Sequence, residues 1–171
     1  MAKLKHHQLT PQAELLLSEH APHRHNLLAL KQQKLWPDAM FYTALMLPYR
    51  QTLEMALTLI AMNYEQQLKS EQRLLLQHAR RWHASSGDPL RHELFQLADE
   101  IGFEDPISCL VLSIFWSEGS MTSPDLEAVY PPEHMAPVML ANVLSMIFYF
   151  FVEDPALQTQ YVDKFYLLAE R

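Results

Sequence analysis

At 171 residues, 49% of them hydrophobic and 19% charged, the chain is long enough to bury a core of its own and too apolar to stay disordered. Three glycines against 11 prolines leave too few flexible positions for a hairpin-rich β fold or a glycine-rich phosphate loop, and a single cysteine, Cys109, excludes an intrachain disulfide. The net charge of −7 is uneven: residues 1–34 hold five Lys/Arg and two Glu, residues 93–171 two Lys/Arg and thirteen Asp/Glu, so nucleic acid is not an expected partner.

The basic N-terminus MAKLKHHQLT lacks the apolar stretch of a secretory signal, and a cytoplasmic location is expected. Thr10-Pro11 then offers a polar cap followed by proline at the first helical position, where a missing N–H costs nothing. This predicts a first helix from Pro11 to about Glu19, with Ala13, Leu16 and Leu17 on one side. A His/Pro stretch follows, then a short helix from Asn26 to about Trp36. Residues 1–36 are read as an N-terminal His-containing helical segment that need not be tightly attached, and residues 37–171 as the helical bundle.

From Pro37 the apolar positions Met40, Ala44 and Leu47 lead to Pro48. Leu53, Ala56, Leu57, Ile60, Ala61 and Tyr64 then recur at the spacing of a core-facing helix. The polar stretch Glu65 to Gln72 is compatible with a break capped by Ser70 or with an exposed continuation, and Leu75, Ala79 and Trp82 restore the apolar stripe. His83 to Asp88 reads as a loop. Asp88-Pro89 opens a helix carrying Leu90, Leu94, Leu97, Ala98 and Ile101 that stops at Gly102, with Phe103 as the apolar contact after it. Asp105-Pro106 opens an apolar helix to about Trp116, in which Cys109 reads as a buried thiol. A polar, proline-containing connection, Ser117 to Met135, comes next, and loops of that length inside a domain are commonly functional. The last helices are Ala136 to Val152 and, after Asp154-Pro155, Pro155 to Arg171. The apolar run Pro137 to Val152 falls short of the ~20 residues a bilayer requires, so it reads as a buried central helix and not as a membrane span.

The order and spacing of several short motifs resemble an uncharacterised bacterial domain family often encoded beside type VI secretion genes. The motifs are Leu47-Pro48-x-Arg50, Ala79-x-x-Trp82, Asp88-Pro89, Ala98-Asp-Glu-Ile-Gly102-Phe103, Asp105-Pro106, Phe115-Trp116-Ser117-Glu118-Gly119-Ser120 and Pro131-Pro132. The resemblance spans roughly residues 45–168 and departs from the usual Trp-Ser-Gly-Gly-Ser at Glu118, where a small residue is expected. It implies an all-helical accessory protein of a secretion apparatus and implies no reaction.

Chemical candidates are few. His20-x-x-His23-x-His25, with His6 and His7 upstream, is the best local metal motif, but it lies in a proline-broken stretch without the spacing that puts two ligands on one helix face, and a solvated loop is the expected reading. Ser117 or Ser120 with His134 and Asp125 share the long connection but lack the Gly-x-Ser-x-Gly frame of a nucleophile elbow. The acid pairs Asp99-Glu100, Glu104-Asp105 and Glu153-Asp154 fall near helix ends, where capping and the helix dipole account for Asp105 and Asp154. Trp82 is expected in the core, and Trp116 is expected to pack the loop against the bundle.

The reading is an all-α, single-domain multi-helix bundle with a long ordered loop before the penultimate helix. Its expected role is non-enzymatic binding of a protein, as an adaptor or chaperone-like factor whose partner is a type VI secretion component or effector. No catalytic residue, metal or cofactor is assigned. The candidate partner-binding loop comprises Trp116, Ser117, Glu118, Gly119, Ser120, Pro131 and Pro132. The alternative is a small hydrolase or metal-dependent enzyme centred on the 116–135 loop or on the N-terminal histidines.

Overall fold

The computed structural model describes residues 9–123 and 125–170. Among them there are nine α-helices and no strand: α1 Pro11–Leu16, α2 His23–Gln32, α3 Trp36–Met46, α4 Tyr49–Leu59, α5 Ser70–Ser85, α6 Asp88–Ile101, α7 Pro106–Ser117, α8 Met135–Phe150 and α9 Pro155–Ala169. The fold is all-α, as its patterning requires. His6 and His7 lie outside the described residues.

Three of the four predicted cap-and-proline starts are realised. Thr10 accepts from Ala13 N, Asp105 from Ile107 N and Ser108 N, and Asp154 from Ala156 N and Leu157 N. The fourth differs: Gly87 occupies the cap of α6 and Asp88 is its first residue. The Asp88 carboxylate binds the Arg91 guanidinium instead of backbone N–H groups, because a completely buried cation needs an anionic partner, whereas helix-end N–H groups can be met in other ways.

Other boundaries shift for local reasons. The first helix ends at Leu16, and the second starts at His23 and ends at Gln32, just before Lys34 enters the left-handed region at φ 56°. Trp36 therefore begins α3, with Pro37 in its first turn. The polar stretch after Tyr64 does break the helix: a π-helical turn, Ile60–Tyr64, passes into a 3₁₀ turn, Glu65–Gln67, before α5 starts at Ser70. Helix α5 then continues to Ser85, which shrinks the predicted His83–Asp88 loop to Ser86 and Gly87, both at positive φ. Gly102, at φ 91°, ends α6 as expected, and Phe103 stacks on Phe95 at 5.8 Å.

Helices α7 and α8 form the centre and pack most extensively on each other, with α3 against α8 and α6 against α7. Ile107, Leu110, Val111 and Ile114 of α7 and Leu140, Val143, Leu144 and Ile147 of α8 are completely buried, and both helices are enclosed by neighbours around most of their circumference. Tyr161 ties α9 to α8 by donating to the Leu144 carbonyl at 2.9 Å. Leu27 and Leu30 of α2 join the same core, and buried Asn26 donates to Tyr42 Oη at 3.0 Å. No helix of the described residues is long and apolar enough to cross a membrane.

Candidate functional site

The start of α4, the end of α5, the start of α6 and the end of α7 meet at one end of the bundle, beneath the connection from Glu118 to His134. The centre of this junction is Arg91. Its side chain is completely buried, and it shares the inward stripe of α6 with Leu94 and Ala98. A buried guanidinium must have its donors satisfied. Nε and Nη2 donate to Asp88 Oδ1 at 3.0 and 2.6 Å, Nη1 to the Phe115 carbonyl at 2.6 Å, and Nη2 to the Ser120 carbonyl at 2.6 Å. The guanidinium also lies over the Phe115 ring, 4.7 Å from its centroid. One side chain thus fastens the last turn of α7 and the first residues of the loop to α6.

Gly119 makes this possible. It adopts φ 72°, and a Cβ there would stand 2.7 Å from both Arg91 Nη2 and Asp88 Oδ1. Arg50 forms a second tie nearer the surface. Its guanidinium lies over the buried Trp82 ring at 4.7 Å, donates to Ser86 Oγ at 2.7 Å and pairs with Glu118 at 3.3 Å. Below it, Tyr49 Oη and Ser113 Oγ lie 3.0 Å apart, and Ser113 Oγ donates to the Ala136 carbonyl at 2.9 Å, joining α4, α7 and α8. Burial pushes the Tyr49 hydroxyl's pKa upward, so it stays protonated.

Above this base the loop closes on itself. Met121 N donates to the Val129 carbonyl at 2.7 Å, Val129 N to Ser120 Oγ at 3.1 Å, and Thr122 Oγ1 to the Glu127 carbonyl at 2.8 Å. The tip faces solvent, with Leu126, Val129 and Tyr130 61%, 47% and 68% exposed. Three uncovered apolar side chains thus lie within five positions of one another on a hydrogen-bonded frame.

The residues expected at this site therefore divide. Glu118, Gly119 and Ser120 join the junction, and Ser117 caps its own helix by donating to the Ile114 carbonyl at 2.8 Å. Trp116 is half-buried at the end of α7, and its neighbour Phe115 makes aromatic contacts to α6, stacking on Phe95 at 4.1 Å and meeting His92 edge-on at 5.3 Å. Pro131 is half-buried, and Pro132 is exposed and leads into α8 through its carbonyl, which accepts from Met135 N. Ser120 Oγ is engaged by Thr122 Oγ1 at 2.8 Å. Arg91 and Phe115 had no assigned role in the sequence reading; the signal for the first was an arginine in the register of an otherwise apolar stripe.

The histidine motif is spread around the start of α2. His20 and His25 are exposed, whereas His23 stacks on Tyr42 at 5.1 Å, and burial lowers its pKa against an opposing interaction with the Ala169 backbone. Among the described residues no group of three or more His, Cys, Asp or Glu side chains is placed to hold a metal ion. Cys109 is a buried thiol that donates to the Phe103 carbonyl at 3.3 Å, and desolvation raises its pKa.

Residues 26–170 match the model of a family of unknown function, DUF6931, a stretch that takes in the junction, the loop and every motif from Leu47 onward. Comparison with curated proteins and with solved structures gave no match.

Proposed function

We propose, for a chain that belongs to this family of unknown function, a non-enzymatic role in which the α7–α8 loop binds another protein. The observation that supports it is the pairing of an exposed apolar tip, Leu126, Val129 and Tyr130, with a base held by a fully buried arginine. Preorganisation of this kind lowers the ordering cost of association, and aromatic side chains on a fixed frame are favoured contact anchors. Of the residues that tie the loop down, Arg50, Trp82, Asp88 and Gly119 belong to the short motifs whose spacing resembles a family often encoded beside type VI secretion genes, and Arg91 does not. We take the partner to be a secretion component or effector and the setting to be the cytoplasm.

Co-purification of the full chain from its native host, with the partner identified by mass spectrometry, tests this. The expected result is a secretion component retained by the wild type and lost by the double variant Leu126→Ser/Tyr130→Ser. Retention of the same partner by that variant overturns the assignment of the loop, and recovery of neither a secretion component nor an effector overturns the secretion role.

A further inference from the structure

Resting on the reading of the loop as a docking surface, we propose that its occupant is a protein segment with apolar side chains flanked by Lys or Arg. Charge complementarity beside the exposed apolar side chains selects such a segment. Between Ser117 and Ala136 the chain carries Glu118, Asp125, Glu127 and Glu133 and no Lys or Arg. Glu118 is paired with Arg50, but Asp125, Glu127 and Glu133 are exposed and make no ion pair among the described residues. Asp125 and Glu127 flank Leu126 directly along the chain, and Glu133 follows Tyr130 by three positions, so exposed carboxylates alternate with the apolar residues of the tip and no cation of the loop offsets them.

An acidic partner would meet like charge there, whereas a basic segment gains steering and register from these carboxylates while its apolar side chains cover the tip. The tip of a second copy carries the same charges, which disfavours face-to-face pairing of two tips.

The test uses the full chain and a displayed library of short random peptides, with enriched peptides titrated by fluorescence anisotropy. Enriched sequences are expected to carry Lys or Arg around aliphatic or aromatic residues. Their affinity should fall as salt rises from about 0.1 to about 1 M, over which the screening length shrinks from ~10 to ~3 Å. Leu126→Ser/Tyr130→Ser should weaken binding by about tenfold or more. Asp125→Asn/Glu127→Gln/Glu133→Gln should weaken it severalfold and flatten the salt dependence. All these side chains are exposed, so each variant is expected to keep the wild-type circular dichroism spectrum.

Loss with the apolar variant but not with the charge variant overturns the basic occupant and leaves the docking reading standing. Indifference to both variants, or no enrichment, overturns both. Enrichment of acidic or uncharged peptides overturns the proposal. Concentration-dependent self-association in sedimentation, abolished by the apolar variant, would assign the tip to a second copy and also overturn it.

Discussion

Arg91→Ala is the most informative single substitution in the molecule. It removes the donors to the Phe115 and Ser120 carbonyls and the counter-ion of Asp88. Each carbonyl left without a partner costs about 1–3 kcal/mol. Asp88 is 54% exposed and rehydrates when released, so its share is small. Adding the lost packing of a fully buried side chain gives a destabilisation of about 3–5 kcal/mol. For a chain of this length each kcal/mol shifts the melting temperature by roughly 2–4 °C, so a drop of roughly 6–20 °C is expected by circular dichroism. Amide exchange adds the local readout: Met121 and Val129, whose N–H groups close the loop, should lose protection before the α7 and α8 amides do. Arg91→Lys keeps the charge but cannot reproduce the planar fork and should fall between. A loss below about 1 kcal/mol with loop protection unchanged would refute the role given to Arg91.

Gly119→Ala should cost about 2–3 kcal/mol in thermal unfolding, since the alanine meets both a left-handed backbone and the Arg91 and Asp88 side chains. Glu118→Gly removes a pair exposed on both sides and should change stability by less than about 1 kcal/mol, read from urea midpoints. Arg80 binds Glu65 through two bonds of 3.0 and 2.8 Å and holds its carboxyl below the usual range. A depressed folded value stabilises above the unfolded pKa and is lost as pH falls through the folded one. Glu65→Gln should therefore cost about 1 kcal/mol at pH 7, discounted for exposure, with the gap to wild type closing below about pH 4. His23 has the sign of a base buried neutral: the unfolded chain takes up its proton first. Stability conferred by the site is thus complete above the unfolded value of about 6.5 and declines as pH falls below it. His23→Phe, which can keep the stack on Tyr42, should weaken this decline relative to wild type in melts between pH 7 and pH 5.

Helix identity was legible wherever a periodic apolar stripe met a local stop. Asp105 and Gly102 are short-range devices, and both act as their positions predict. Asp88 shows why the neighbouring start differed: its cap geometry is overridden by Arg91, whose other partners lie in α7 and the loop, 24 and 29 positions away. No local pattern contains that information. The junction was likewise half legible. Its members were present as separate spacings at Arg50, Trp82, Asp88 and Glu118 to Ser120, but only the fold brings Arg50 over Trp82 and Arg91 beneath Gly119. At the loop tip, Leu126, Val129 and Tyr130 carry no periodicity that distinguishes an exposed turn from a buried one. The hydrogen bonds that close the turn and leave them uncovered depend on three-dimensional placement.

If the α7–α8 loop is where a partner protein docks, a probe in the loop must reach that partner. Photo-crosslinking in the native host decides this, with the crosslinker placed at Tyr130 of the loop and, as a control of similar exposure, at Leu167 of α9. A discrete crosslinked protein is expected from Tyr130 and none from Leu167. The same product from both positions, or a product from Leu167 alone, would contradict it.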